Sequence, residues 1–239
     1  ITEFLGFRPN SEEWKLMGAS SYGDPARFLP VLSRLLRVEE GRVELDLSYF
    51  NFYQFHRPRW FSPKLVHLLW KPRERGDDLD PVHYDLAAAM QRLTEETVFQ
   101  VATWLRKTSG SRNICLGGGV FQNSVLNGKL KERTGFQGIY IPSAPDDSGG
   151  ALGSALYCLH HEQGVPRVAQ RQYNYWGPES SHESIKTFLT LSKWPHHSLT
   201  DPAKTAAAVL ADDHILGWFQ GRLEFGDRAL GNRSILANP

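Results

Sequence analysis

Residues 112–155 read RNICLGGGVFQNSVLNGKLKERTGFQGIYIPSAPDDSGGALGSA, and two glycine-marked reversals in this stretch decide the fold class. Asn113–Leu116 is a short apolar run ending in Gly117, Gly118 and Gly119, where a backbone without Cβ atoms can turn sharply and approach a ligand. The pattern after it predicts a helix over Val120–Arg133, whose unpaired N–H groups would face the turn and favour an anion. Neither the dinucleotide fingerprint GxGxxG nor the P-loop pattern is present, so the three glycines are also compatible with a simple flexible turn.

At the second reversal, Gly138–Pro142 reads as a buried strand, Pro145, Asp146 and Asp147 as a loop, and Ser148 onward as a helix rich in small residues. Glycine in a helix costs about 1 kcal/mol against alanine. Gly149, Gly150 and Gly153 therefore predict a backbone or ligand pressed against that helix. Asp147 stands at its head, where a carboxylate either caps N–H groups or holds a hard cation beside a nucleotide phosphate.

Upstream, Leu86, Met90, Leu93, Val98, Val101 and Leu105 recur at helical spacing through Asp85–Lys107, with Gly110 as C-cap. Thr94, Glu95 and Glu96 fall on the opposite side and read as a solvated face. The order helix, strand, glycine turn, helix, strand, loop, helix implies an α/β layered domain.

The flanks are less regular. Ile1–Leu5 looks helical, and Asn10 or Ser11 is placed to cap a helix over Glu12–Met17, in which Lys15 either faces solvent or reaches a phosphate. Pro25–Arg37 reads as a helix and Arg42–Phe52 as a strand. Phe50–Trp70 interleaves aromatics with Arg57, Arg59 and Lys64, which suits stacking on bases, the wall of a pocket for a bulky acceptor, or plain core packing. Lys71–Pro81 reads as an exposed loop and Arg167–Pro178 as a linker. Helices over Ser181–Thr190 and Pro202–Ala211 and a buried strand over His214–Gln220 lead to GRLEFGDRALGNRSIL, residues 221–236. There Arg222, Arg228 and Arg233 stand among Gly221, Gly226 and Gly231, a fork set for phosphate or carboxylate with Asn232 and Ser234 as neutral donors. Salt bridges to Glu224 and Asp227 are the alternative.

With 239 residues, 41% apolar and 22% charged, the composition is that of an ordinary soluble globular protein of one large domain or two small ones. A net charge of +1 gives no case for nucleic acid or a charged membrane. Cys115 and Cys158 read as buried thiols of a reducing compartment, and with no secretory pattern the expectation is a cytoplasmic protein. Ile1 in place of methionine, and an apolar segment still running at Pro239, read as a piece of something larger. No HxxxH, HExxH or GxSxG occurs, which argues against a self-contained zinc site or a serine hydrolase.

MGASSYGDP (Met17–Pro25), CLGGGVFQN (Cys115–Asn123), PSAPDDSGGALGSAL (Pro142–Leu156) and GWFQGRLEFGDRALGNRSILANP (Gly217–Pro239), in that order, resemble the O-carbamoyltransferases of nodulation and antibiotic tailoring. The resemblance implies the C-terminal part of an actin-like ATPase domain, similar to the threonylcarbamoyl-transfer enzymes, over residues 1–170. Residues 171–239 would be a linker and the beginning of a YrdC-like α/β lobe. It further implies that the YrdC-like lobe makes carbamoyl-adenylate from ATP and carbamoyl phosphate. The actin-like domain, holding Fe(II) or another divalent cation and a nucleotide, passes the carbamoyl group to a small-molecule alcohol. By the same resemblance Gly117, Gly118, Gly119, Val120 and Asn123 hold the nucleotide and Asp147 the metal. Arg222, Arg228, Arg233 and Ser234 handle carbamoyl phosphate and ATP. The family's HxxxH metal pair has no counterpart here, so the remaining ligands are expected from segments outside this chain or from a partner chain, as in a homodimer. Asp227 stands where EFGPRALG usually has proline. A non-catalytic nucleotide-binding module and an actin-like kinase or ATPase are the competing readings.

Overall fold

A computed structural model describes residues 1–168 and 174–238, so part of the expected linker lies outside the described residues. The chain divides into two compact units, Ile1–Leu116 with Asn123–Tyr140, and Gly117–Gln122 with Ile141–Pro239.

The first unit contains, in order, α1 (Glu13–Ala19), α2 (Leu29–Leu32), β1 (Leu36–Glu39), β2 (Arg42–Leu45), α3 (Pro63–Leu68), α4 (Pro81–Ser109), β3 (Asn113–Cys115), α5 (Ser124–Thr134) and β4 (Gly138–Tyr140). α4 starts earlier than its apolar period predicts because a capping box fixes it. The Asp80 side chain accepts from the His83 backbone, and Asp80 N donates to His83 Nδ1 at 2.9 Å. Gly110 ends it at φ 66°, as expected of a left-handed cap. Leu86, Ala87, Ala89 and Leu93 meet Phe4, Leu5, Leu32 and Leu65 in the core, each buried leucine contributing about 1.5–3 kcal/mol.

Several local expectations give way to turn chemistry. Ile1–Leu5 forms turns, Asn10 sits at φ 59°, and the N-cap of α1 is Glu12, which makes no side-chain capping bond. Asp24 accepts from Ala26 N at 2.9 Å and starts only a short 3-10 turn, so Pro25–Arg37 breaks into that turn, the four residues of α2 and the start of β1. β1 and β2 pair antiparallel from Leu36↔Leu45 to Glu39↔Arg42. Arg73, expected in an exposed loop, is buried and donates Nε to Leu5 O at 2.6 Å.

β3 and β4 pair parallel, Asn113↔Gly138 to Cys115↔Tyr140, with α5 as their crossover, which is the α/β unit the sequence predicted. The helix nevertheless begins at Ser124 rather than Val120. Cys115 and Cys158 are exposed, not buried, since nothing among the described residues covers them.

In the second unit a 3-10 turn (Asp147–Gly149) leads into α6 (Gly150–Tyr157), followed by α7 (His182–Ser192), α8 (Pro202–Ala211), β5 (Leu216–Phe219) and β6 (Arg233–Leu236). Ser181 and Asp201 cap α7 and α8 through the N–H groups of Ser184 and Lys204, and Pro202 occupies the first turn. β5 pairs antiparallel with β6, Leu216↔Leu236 to Phe219↔Arg233, and its residues alternate half-buried and exposed instead of lying buried. Of Gly149, Gly150 and Gly153 only Gly149, the last residue of the 3-10 turn, meets close packing. A Cβ there would lie 2.2 Å from Ala144 O, whereas at Gly150 and Gly153 nothing described lies within 4 Å. No helix among the described residues is long and apolar enough to cross a membrane.

Candidate functional site

The glycine turn belongs to the second unit. Gly118 holds φ 113°, a conformation that requires glycine, and its N–H donates to Pro145 O. Gly117, Gly119 and Val120 are exposed, and Gly119–Gln122 form a 3-10 turn rather than the start of a helix. The helix is displaced because Asn123 Oδ1 accepts from Leu126 N at 3.0 Å and sets the N-terminus of α5 one turn later.

Gln122 is the hub that the sequence did not reveal. Its Nε2 donates to Asp146 Oδ2 at 2.9 Å and Asp227 Oδ1 at 2.8 Å, while its Oε1 accepts from Arg228 Nη2 at 3.2 Å. Asp227, the residue that departs from the usual proline, is therefore tied to the glycine turn instead of pairing with an arginine. Asp146, not Asp147, caps the 3-10 turn that leads into α6, through Ser148 N at 3.3 Å and Ser148 Oγ at 2.5 Å, while α6 itself has no side-chain cap. Asp147 is left exposed, its backbone carbonyl accepting from Gly150 N and its carboxylate making no hydrogen bond or ion pair with a described residue. No three His, Cys, Asp or Glu side chains gather into a metal-binding set among those residues.

The arginine loop, 222–233, is closed by Glu224, which is 6% exposed. Its Oε1 accepts from Leu230 N at 2.7 Å, Asn232 N at 2.8 Å and Arg233 N at 3.3 Å. Burial alone would raise its pKa. The three N–H groups and the nearby Arg233 charge outweigh burial and hold it below the usual carboxylate value. Asn232 Nδ2 donates to Arg222 O at 2.8 Å, so this expected ligand donor serves the loop itself. Gly226, at φ 113°, brings the loop so near Ser143 O that a Cβ would lie 2.7 Å from it.

With Glu224 turned to backbone N–H groups and Asp227 to Gln122, none of Arg222, Arg228 or Arg233 makes an ion pair with a described residue. Arg222 Nε donates to Gly177 O at 3.0 Å, and Arg228 Nε is buried without an acceptor. Ser234 lies in β6 opposite Trp218. The salt-bridge alternative is thus not what the structure holds.

Other candidates resolve more simply. Lys15 pairs with Glu12 at 2.6 Å and lies over the Trp14 ring, an ordinary surface lysine. Phe50, Phe52, Trp60 and Phe61 line a pocket of about 200 Å³ in the first unit, while Phe55 is fully exposed.

Residues 1–156 match the family model described as Carbamoyltransferase N-terminus, and residues 207–239 match the one described as Carbamoyltransferase C-terminus. The chain belongs to the carbamoyltransferase family. The first match takes in the glycine turn and Asp147, the second the arginine loop. Nodulation protein NolO of Bradyrhizobium diazoefficiens is 36% identical over 233 residues, covering 95% of this chain and 40% of the relative. Nodulation protein NolNO of Sinorhizobium fredii is 36% identical over 234 residues, 95% of this chain and 32% of the relative. The 3'-hydroxymethylcephem-O-carbamoyltransferase of Streptomyces clavuligerus is 34% identical over 223 residues, 93% and 38%. The chain therefore spans about two-fifths or less of the length of these relatives.

Proposed function

We propose that the protein bearing this chain is an ATP-dependent O-carbamoyltransferase, moving a carbamoyl group from carbamoyl phosphate, by way of carbamoyl-adenylate, to a hydroxyl of a small molecule. The observation that carries this reading is the trio of guanidiniums left without carboxylate partners on a loop closed by Glu224. Planar guanidinium forks match phosphate oxygens bidentately, and a fork with no ion pair of its own can turn to that purpose. The relative from Streptomyces clavuligerus is named for O-carbamoyl transfer, which favours this use over other anions.

In the proposed reaction the acceptor hydroxyl attacks the carbamoyl carbon of the adenylate. The carbon–oxygen bond to AMP breaks with its electron pair going to AMP, and the hydroxyl proton passes to a base. Arg222, Arg228 and Arg233 offset the negative charge of carbamoyl phosphate and ATP as the adenylate forms, the kind of electrostatic contribution that is usually the largest in catalysis. The exposed turn Gly117–Val120 and Asn123, which follows it in sequence, are the proposed nucleotide-binding residues. The arrangement is read as the end of an actin-like ATPase domain followed by the start of a YrdC-like lobe. A divalent cation such as Fe(II) would need ligands besides Asp147, which the described residues do not provide. No step is derived through it.

The test is to incubate the full-length protein with carbamoyl phosphate, ATP, Fe(II) and a panel of alcohols. An O-carbamate, formed with release of AMP, supports the reading. A phosphorylated alcohol, or no carbamate across the panel, refutes it.

A further inference from the structure

Inside the first unit a charged side chain lies where solvent does not reach. Glu95, assigned by its sequence position to a solvated face, is 1% exposed. Lys129 Nζ donates to both of its carboxylate oxygens, at 2.7 and 2.9 Å, and Gln91 Nε2 donates to Oε1 at 2.9 Å. Gln91, 6% exposed, exchanges amide hydrogen bonds with Asn123. Its Nε2 reaches Asn123 Oδ1 at 3.2 Å, and its Oε1 accepts from Asn123 Nδ2 at 2.7 Å. Asn123 Oδ1 also caps α5, the helix that carries Lys129. The polar chain Lys129, Glu95, Gln91, Asn123 therefore closes on itself across α4 and α5.

Pairing a buried carboxylate with the half-exposed Lys129 ammonium adds little net stability, since desolvating Glu95 costs about as much as the attraction returns. Helix joining does not need it either. One residue further along, Glu96 pairs with Arg133 at 2.9 Å between the same two helices in a more solvated setting. What distinguishes the Glu95–Lys129 pair is the burial of its carboxylate and its connection, through Gln91, to Asn123. That side chain has its carbonyl oxygen committed twice and one of its Nδ2 hydrogens committed once, so its orientation is fixed.

We infer that Glu95 and Lys129, acting through Gln91, are positioning residues for Asn123, and so for the end of the Gly117–Asn123 segment that takes ATP. The inference rests on the nucleotide reading proposed above. Fixing the rotamer of a ligand-binding residue removes an entropy cost from binding. Loss of the network should therefore weaken ATP binding and leave carbamoyl phosphate binding at the arginine loop alone.

The experiment is isothermal titration of the full-length protein with ATP and, separately, with carbamoyl phosphate, for the wild type, Glu95→Gln, Gln91→Leu and the control Glu96→Gln. Glu95→Gln and Gln91→Leu are expected to raise the Kd for ATP about tenfold, the loss of one or two buried hydrogen bonds. Carbamoyl phosphate affinity stays within about twofold, and Glu96→Gln leaves both affinities there too, as an exposed pair should. Gln91→Leu keeps the ion pair whole and carries the test if Glu95→Gln fails to fold. Wild-type ATP affinity in Gln91→Leu, or an equal loss of both ligands, overturns the inference while the nucleotide reading stands. Absence of ATP binding by the wild type overturns both.

Discussion

Replacing Glu224 with alanine removes the acceptor on which the arginine loop closes. Two short bonds, from Leu230 N at 2.7 Å and Asn232 N at 2.8 Å, and a longer one from Arg233 N at 3.3 Å converge on one buried oxygen. Bonds to a charged acceptor contribute about 1.5–3 kcal/mol each, and burying the carboxylate costs several kcal/mol, which leaves a net loss of about 2–3 kcal/mol. At about 1.4 kcal/mol per factor of ten, that is roughly a hundredfold rise in the population with the loop open. Amide hydrogen exchange reads it directly. In Glu224→Ala the protection of Leu230 and Asn232 should fall by about that factor, while ladder amides of β5 and β6 change far less. Carbamoyl phosphate affinity should fall with it, since Arg228 and Arg233 ride on the same loop. Protection of Leu230 and Asn232 unchanged within about threefold would refute the clamp, because even the weakest single charged bond is worth more than that. The sign with pH follows from the depressed Glu224 pKa. The clamp is fully present above 4.5, the ordinary carboxylate value, and is lost as pH falls through the lower folded value.

Four further outcomes follow. Burial, more than the charge of Arg73, holds the His83 pKa below 6.5 against the opposing pull of Asp80 and Asp77. Its contribution to the cap of α4 should be complete above pH 6.5 and decline as pH falls through the lower folded value, a slope in thermal stability that His83→Ala removes. Gly149→Ala should destabilise the Ala144–Gly149 turn by about 1–3 kcal/mol, because its Cβ meets a backbone oxygen, whereas Gly150→Ala should be neutral or gain up to about 1 kcal/mol in a melting assay. Carbamoyl phosphate binding should weaken as salt rises from 50 to 500 mM, those being roughly the concentrations between which exposed charges become screened. Arg228→Lys should not restore what Arg228→Ala loses, since a point charge lacks the fork that also reaches Gln122.

The α/β core of the first unit was legible because its signals are local and strong. The apolar period of α4, the strand before the glycines and Gly110 as a cap each specify one outcome. Where a single polar side chain decides, periodicity pointed elsewhere. Asn123 moved the start of α5, Asp146 took the cap expected of Asp147, and Asp24 cut short the helix expected over Pro25–Arg37. Glu95 read as solvated because its helical position faces away from the leucine stripe, and only the approach of α5 buries it. Gln91 at four residues before Glu95 was the available signal, a second polar side chain on one stripe of the helix. The candidate site was legible as motifs but not as geometry. The sequence names the three arginines, yet whether Glu224 and Asp227 neutralise them depends on where those carboxylates turn. Gln122, which binds Asp146, Asp227 and Arg228 together, gives no sign of that role in a linear reading.

The central claim is that the uncompensated arginine loop takes the activated carbamoyl donor for transfer to oxygen. Carbon-13 NMR of the full-length protein turning over carbonyl-labelled carbamoyl phosphate with ATP and an accepted alcohol tests it most directly, with Arg228→Ala and Arg233→Ala alongside. The account predicts a labelled O-carbamate carbon from the wild type and a loss of at least about a hundredfold in each variant, the usual cost of removing one charge-stabilising donor. Carbamate formed at wild-type rate by both variants would contradict it.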